Sequence, residues 1–394
     1  MILRLFAAFA LLFLALWIVV PGWTYPLFVL AVGAPELSPW LFFAGLVLCL
    51  FFCLLSAKSS RRSRWNRISL AVALFATALT AIPLVQAASM LHRFDEAMRA
   101  ALGADFLRGV PGNVRGGMRP SPIVPADLFR GIDFGETRVV RGIPFAAPDG
   151  QPLTLDIYRP LADGRFPVIV QIYGGAWQRG APADNSEFAR YLAMRGYAVF
   201  AIDYRHAPRW TWPSQIEDVR AALVWVAAHA AEYGADPSRM ALIGRSAGAQ
   251  LALLAAYETG APTVRAAVSF YGPVDLAEGY RHPPRPDPLD VRAIEETLLS
   301  GTPDSAPVRY REASPVTYVN RQLPPTLLLY GSRDHVVEAR FGRMLDDRLR
   351  ATGTTSVLLE IPWAEHAFDL IPSGLSSQIA LYYVERFLAW ALTR

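Results

Sequence analysis

Five residues near the middle of the chain have the composition of a serine nucleophile held on a sharp turn. They are GRSAG, residues 244–248, which follow the apolar run 240–243 and overlap the start of the helix-forming run 247–257. Glycines on both sides of a serine permit a tight strand–turn–helix connection and keep other side chains away from its hydroxyl. The pattern therefore predicts that Ser246 attacks a carbonyl carbon.

A serine hydroxyl needs a base in order to attack, and histidine is the side chain that titrates near neutral pH. In a strand–helix architecture of this kind, an acid and then a histidine follow the serine along the chain. His282, His335 and His366 follow Ser246. We predict His366 as the base, because it lies in WAEHAFD just after the last apolar run. His282 lies in a proline-rich loop, and His335 directly follows the best acid candidate.

The acid predicted to orient His366 is Asp334, which ends the stretch LLLYGSRD after another apolar run. A carboxylate in this position would hold the imidazole in the required tautomer and stabilise the imidazolium that forms. Glu365 and Asp369 are rival partners. Both are so close in sequence to the histidine that we expect them to solvate the loop instead.

Attack by serine on a carbonyl creates an oxyanion, which backbone N–H groups can stabilise. One donor is expected to be the amide of Ala247, directly after the nucleophile. The others are expected in residues 173–176 of YGGAW, because glycines let the bare backbone approach the substrate. A plain Gly-Gly turn is the alternative interpretation of this loop.

The elements that must hold these residues alternate between strands and helices. Short apolar runs predict strands at 167–172, 197–204, 240–243, 264–270, 326–330 and 356–361, after a hairpin at 137–158. Helical patterns occur at 186–195, 214–232, 247–257, 338–351 and 376–392. This order predicts an α/β fold with a mostly parallel sheet covered on both faces, and with its chemistry at the carboxyl ends of the strands.

The first 89 residues differ in composition, with six basic residues and a single acidic one, Glu36. Three apolar stretches, about 2–20, 40–57 and 68–88, are each roughly long enough to cross a bilayer as a helix. The basic segment 58–67 favours a cytoplasmic loop between the last two. We predict a membrane anchor over 1–89 with three transmembrane helices and a cytoplasmic N-terminus. The rest of the chain would lie outside the cytoplasm, as in a multi-pass protein of a bacterial inner or cell membrane. A cleaved signal peptide in the first stretch and buried core helices are the alternatives.

Composition argues against some partners. The formal net charge is +4, and the positive excess lies in the first 89 residues, so nothing indicates a nucleic-acid partner. The only cysteines, Cys49 and Cys53, lie one helical turn apart in an apolar stretch. They predict neither a disulfide framework nor a metal site.

Six motifs together resemble the hormone-sensitive-lipase-like carboxylesterases of the α/β-hydrolase superfamily: YGGAW, DYRHAP, WPSQIEDVRAALVWV, GRSAG, GSRD and EHAF. The resemblance covers about residues 135–394 and implies an eight-stranded α/β-hydrolase core, no cofactor and hydrolysis of carboxylic esters. The family's usual His-Gly-Gly-Gly motif aligns its second and third glycines with Gly175 and Ala176. These two are thereby implied to be oxyanion donors, together with Ala247. The chain departs from the motif at Tyr173, which leaves the anchoring of the loop open. GGAW combined with membrane helices is similar to isoprenylcysteine methylesterases, which favours a lipid-like substrate.

These observations predict a membrane-anchored serine hydrolase that cleaves a small-molecule or lipid-like carboxylic ester through an acyl-enzyme. Residues 90–134 are expected to be a linker or cover, and 135–394 the catalytic domain with a Pro- and Arg-rich insert at 275–319. Tyr173, Trp177 and Phe368 are candidates for the substrate pocket.

Two other functions stay open. One is another acyl-transfer enzyme with the same residues, namely an amidase, a peptidase or a transacylase. The other is a non-catalytic, hydrolase-like membrane binding protein.

Overall fold

The structure is a computed structural model that describes residues 2–58, 64–258 and 262–393. Residues 59–63, which belong to the predicted basic loop, lie outside the described residues.

The N-terminal part of the chain is a group of apolar helices. Their bounds are α1 Ile2–Leu16, α2 Tyr25–Glu36, α3 Ser38–Lys58, α4 Arg64–Thr80 and α5 Ile82–Leu102. Helices α1, α3 and α4 pack together through mostly small side chains, with Ala8, Cys49 and Ala73 in one buried cluster. Small residues let helix backbones approach each other closely, as at helix interfaces within membranes.

Three membrane-spanning helices were predicted, but only two helical segments of the described residues are long and apolar enough to cross a membrane, Ser38–Ser56 and Arg64–Leu102. Helix α1 has 15 residues and ends at Leu16, so it is about 22 Å long, shorter than the ~30 Å hydrocarbon core of a bilayer. The third predicted stretch does form helix, but it is divided at Ala81 between α4 and α5.

Helix α5 continues past residue 89, where we predicted the anchor to end, and reaches the part of the chain that contains the sheet. Its buried residues Met90, Phe94, Met98 and Leu102 lie at helical spacing and belong to the main hydrophobic core. Residues 103–134 contain two short helices, α6 Gly112–Gly116 and α7 Pro125–Arg130. The N-terminal helices are therefore continuous in packing with the remainder of the molecule.

The core of the molecule is a mostly parallel sheet of eight strands in the described chain. The strands are β1 Arg138–Ala146, β2 Leu153–Arg159, β3 Phe166–Ile172, β4 Ala198–Ile202, β5 Ala235–Arg245, β6 Val264–Phe270, β7 Thr326–Gly331 and β8 Ser356–Ile361. Their order is β1-β2-β4-β3-β5-β6-β7-β8. Only the pairs β1–β2 and β2–β4 are antiparallel. The α/β prediction and the mostly parallel sheet are confirmed.

The helices of this part connect or follow the strands. They are α8 Ser186–Met194, α9 Ser214–His229, α10 Ala247–Tyr257, α11 Leu276–Arg281, α12 Val291–Leu299, α13 Pro307–Glu312, α14 Arg340–Ala351 and α15 Leu375–Leu392. Helices α11 to α13 lie in the predicted insert 275–319 between β6 and β7. Strands β4 and β7 are buried along their whole length, as expected for strands covered on both faces.

Candidate active site

Ser246 occupies the sharp turn between β5 and α10. Its backbone has φ +50° and ψ −122°, a left-handed conformation that is uncommon for a residue with a side chain. A Cβ on Gly244 would lie 2.1 Å from the carbonyl oxygen of Gly248, and one on Gly248 would lie 2.2 Å from that of Tyr173. The turn therefore has no room for a side chain at either glycine of GRSAG. Ser246 is half-buried at the tip of this turn.

His366 and Asp334 lie in hydrogen-bonding reach of the serine, in the order expected for a base and its orienting acid. Nε2 of His366 lies 3.0 Å from Oγ of Ser246, and Nδ1 lies 2.8 Å from Oδ2 of Asp334. The other oxygen of Asp334 accepts hydrogen bonds from the backbone N–H groups of Val336 and Val337, at 2.8 and 2.7 Å. Both the imidazole and the carboxylate are buried, so their geometry is fixed by packing as well as by hydrogen bonds.

The two rival acids are occupied elsewhere. Glu365 accepts a hydrogen bond from the backbone N–H of His335 and lies 2.6 Å from its Nδ1. This contact raises the pKa of the His335 imidazole above its usual value. Asp369 accepts hydrogen bonds from the Arg245 guanidinium, at 2.5 Å, and from the Tyr271 hydroxyl. Neither carboxylate bonds to the His366 ring among the described contacts. Their side chains are only 3% and 9% exposed and bind residues of other segments, so they do not solvate the loop as we expected.

The loop YGGAW passes directly beside the nucleophile. A Cβ on Gly174 would lie 2.8 Å from the carbonyl oxygen of Arg245 and 3.2 Å from the Cβ of Ser246. Gly175 has φ +129°, and a Cβ there would lie 2.0 Å from the carbonyl oxygen of Arg179. Only bare backbone therefore fits at these two positions, directly after strand β3 and Tyr173.

The three predicted oxyanion donors lie on the two segments that meet at this point. Gly175 and Ala176 are in the loop, and Ala247 is the first residue of α10. Within the described chain, none of their N–H groups donates a hydrogen bond to another protein atom. An N–H group at the N-terminus of a helix has no partner within that helix, and it adds the positive end of the helix dipole. These groups are therefore free to bind an anion formed at the serine.

Tyr173 anchors the loop through its hydroxyl group. The hydroxyl donates a hydrogen bond to Oδ1 of Asp203 and lies 2.8 Å from Nε2 of His206. The ring stacks on that of Tyr204, with centroids 4.5 Å apart, and the Tyr204 hydroxyl donates to the Tyr173 carbonyl. Burial raises the pKa of the Asp203 carboxyl and lowers that of the His206 imidazole. Asp203 and His206 belong to the motif DYRHAP, so this motif supplies the partners of the loop.

A cavity of about 520 Å³ lies above Ser246 and His366. Of the three predicted pocket residues, Trp177 lines this cavity, and its indole N–H donates to Gln250 at 3.0 Å. Tyr173 and Phe368 do not line it, since both are buried in the packing behind the loops. The insert 275–319 contributes to the wall, whereas residues 90–134 do not.

Several lining residues escaped the sequence analysis. The most distant in sequence are on α2, namely Tyr25, Phe28, Val29 and Val32. Their spacing of three, four and seven residues marks one face of a helix, which is a signal that the sequence does contain. Tyr271 is a further omission, with its ring centroid 4.6 Å from that of His366.

Comparison with known proteins agrees with this geometry. Residues 155–349 match the BD-FAE family model. The chain is 38% identical over 256 residues to "Probable carboxylic ester hydrolase LipM" of Mycobacterium tuberculosis, covering 61% of this chain and 58% of the relative. It is 34% identical over 254 residues to "Esterase LipQ" of the same organism, covering 60% and 59%. The solved structure "Bacterial Heroin Esterase" superposes with a TM-score of 0.58 at 25% identity, covering 72% of this chain and 98% of that one.

Residues 155–349 thus resemble the BD-FAE family, and the relatives and the solved structure to which the chain is similar are named as esterases or carboxylic ester hydrolases. The chain spans less than three fifths of the length of these two curated relatives. The N-terminal helices α1 to α4 lie outside the region that matches the family model.

Proposed function

We propose that this protein is a serine hydrolase that cleaves carboxylic esters. The observation that carries the proposal is the hydrogen-bonded series Ser246–His366–Asp334, with distances of 3.0 and 2.8 Å, at the base of a cavity. The names of the relatives, a carboxylic ester hydrolase and an esterase, support the choice of an ester among acyl substrates.

The reaction follows from the positions of these atoms. The Ser246 hydroxyl gives its proton to Nε2 of His366 as its oxygen attacks the ester carbonyl carbon. The carbonyl oxygen becomes an oxyanion, which the N–H groups of Gly175, Ala176 and Ala247 stabilise. Asp334 holds the imidazole in the tautomer whose Nε2 accepts the proton, and it stabilises the resulting imidazolium.

Collapse of the tetrahedral intermediate breaks the bond to the alcohol oxygen. The alcohol leaves with the proton from His366, and the acyl group stays on Ser246 as an ester. A water molecule then attacks this acyl-enzyme, with His366 again as the base, and the carboxylic acid is released. These steps use groups of the protein, the ester and water, and the mechanism includes no cofactor.

The test is a comparison of the wild type with Ser246→Ala on p-nitrophenyl acetate and on a matched anilide. We expect wild-type hydrolysis of the ester, loss of at least about a thousandfold in the variant, and labelling of the wild type alone by a serine-reactive phosphonate. Faster turnover of the anilide would favour an amidase or peptidase, and faster turnover with an added alcohol would favour a transacylase. Absence of labelling in folded wild type would favour a non-catalytic binding protein.

We further propose that the protein is anchored in a membrane by its N-terminal helices, with the catalytic domain outside the cytoplasm. In the two candidate spans, 22% and 33% of the apolar window is buried in the protein. Because most of each window is exposed, these helices differ from core helices of a soluble domain. The basic residues between the spans favour a cytoplasmic loop. A reporter fused after residue 90 that works only in the cytoplasm would refute this orientation.

A further inference from the structure

Helix α2 forms one wall of the cavity that contains Ser246 and His366. Its residues Tyr25, Phe28, Val29 and Val32 all line this cavity. They occupy one face of the helix, because residues three and four positions apart stack above one another. The wall is therefore built by a segment between α1 and α3, far outside the catalytic sheet.

A buried carboxyl group fixes α2 to the catalytic domain. Oε2 of Glu36 accepts a hydrogen bond from the backbone N–H of Ser376 at 2.7 Å, and Oε1 accepts one from its hydroxyl at 2.6 Å. Ser376 is the second residue of α15, where backbone N–H groups lack partners within the helix. The Trp363 indole also donates to the Ser376 hydroxyl at 3.0 Å, so the contact reaches the loop that carries His366.

The surroundings of Glu36 are apolar enough to change its ionisation. Burial raises the pKa of the carboxyl to about 8, although the hydrogen bonds from Ser376 act in the opposite direction, and the nearby Asp369 carboxylate raises it further. Glu36 is the only acidic residue among the first 89. The one acidic side chain of this part of the chain therefore binds one specific partner, Ser376.

The mouth of the cavity beside α2 is also apolar. Tyr25, Val29 and Leu370 line the cavity and are 51%, 44% and 64% exposed. The neighbouring helices α1 and α3 expose further large apolar side chains, among them Phe13 and Phe43. An apolar surface that continues from a candidate membrane helix into a catalytic cavity suits a substrate that is itself dissolved in lipid.

We propose that α2 is the binding site for the hydrocarbon chain of an amphiphilic ester that enters from the bilayer side. The chain lies along Phe28, Val29 and Val32, and the ester carbonyl lies at Ser246. This inference rests on the proposed ester hydrolysis and adds the class of substrate. Each methylene group moved from water onto this wall should raise kcat/KM by about fourfold, until the wall is filled.

The test uses the full chain in non-ionic detergent and a pair of double variants. Val29→Asn/Val32→Asn places polar groups on the cavity face of α2. Leu27→Asn/Leu30→Asn makes the same replacements three residues apart on half-buried positions of α2 that do not line the cavity. Leu→Asn lowers helix propensity more than Val→Asn does, so a loss confined to the Val29/Val32 variant reports the wall and not the stability of the helix.

The readout is the kcat/KM ratio of a long-chain to a short-chain ester. Acyl chains are compared with p-nitrophenyl decanoate and acetate, and alcohol chains with decyl and ethyl acetate. We expect the wild type to prefer the long chain in one of the two series, and Val29→Asn/Val32→Asn to lose at least about tenfold of that preference. The Leu27/Leu30 variant, which does not change the cavity lining, should keep the preference and stay within about threefold of the wild-type kcat/KM for the short ester.

Two results would overturn the inference: a wild type without preference for a long chain in either series, or a cavity-face variant that keeps the wild-type ratio. If Val29→Asn/Val32→Asn fails to label with the phosphonate, the exposed single variant Val29→Asn replaces it under the same criteria, with an expected loss of at least about threefold. Failure of the wild type to hydrolyse any ester would instead refute the proposed function, so the two failures are distinguishable.

Discussion

Gly175 offers a direct test of the oxyanion site, because its backbone excludes any side chain. The change is Gly175→Ala. The new Cβ would lie 2.0 Å from the carbonyl oxygen of Arg179, whereas ordinary contacts lie at 3.4–4 Å, so the loop must move by more than about 1 Å. The φ of +129° adds strain for a residue with a side chain.

A displacement of this size removes the amide from the place where the oxyanion forms. Loss of one such donor costs about 10²- to 10³-fold in kcat, or roughly 3–4 kcal/mol. The assay is kcat on p-nitrophenyl acetate, with the melting temperature as a measure of folding. We expect kcat to fall by this factor while the variant stays folded, since the loop lies at a strand end.

Gly196→Ala is the matched control. Gly196 also has a positive φ, +89°, but a Cβ there meets no atom within 4 Å, and it lies before β4, away from the carboxyl ends of the strands. This variant should lose about 1–3 kcal/mol of stability from backbone strain and keep its kcat. If Gly175→Ala is folded and its kcat equals that of the control, the oxyanion site must be formed by another segment.

Three further changes test other contacts of the site. Tyr173→Phe removes the hydroxyl bound to the half-buried Asp203 and should lower kcat on p-nitrophenyl acetate about tenfold and stability by about 1–3 kcal/mol; unchanged values would mean that ring packing alone holds the loop. The pKa of Glu36 is raised from 4.5 to about 8 in the docked form, so docking of α2 is strongest below about pH 4.5 and weakens as pH rises to about 8. The long-to-short ester ratio should fall over this interval in the wild type but stay level in Glu36→Gln, and parallel profiles would refute the assignment. The pKa of His335 is raised by Glu365, so their ion pair stabilises the fold fully below about pH 6.5 and is lost as pH rises through the raised pKa; the melting temperature should fall over that interval in the wild type and not in Glu365→Gln.

Most predictions about the candidate catalytic residues were based on short motifs of neighbouring residues. GRSAG predicts the local backbone geometry, because the two glycines and the strand–helix context leave few conformations for the serine between them. Asp334 and His366 were found by order along the chain and by their positions after apolar runs. The α/β architecture followed from the same alternation of apolar and helical patterns.

Some features near the site could not be read from neighbouring residues. Hydropathy alone placed a membrane span at residues 2–20, but the helix ends at Leu16. The length of a helix depends on where the following turn and its packing begin, and a sliding count of apolar residues does not contain that information. Tyr173 and Phe368 were expected in the pocket, yet their rings point into packing that only the assembled loops define.

The sequence by itself determined the nucleophile turn, the candidate base and acid, and the parallel sheet, because each depends on local spacing or on chain order. Tertiary structure alone decided that Tyr173 is held by Asp203 and His206, since these partners come from a different strand end. It also decided that α2 forms a wall of the cavity, because Glu36 and Ser376 are 340 positions apart and no periodicity links them. A contact between distant segments depends on how the whole chain folds, which is why the apolar wall beside Ser246 appears only in the structure.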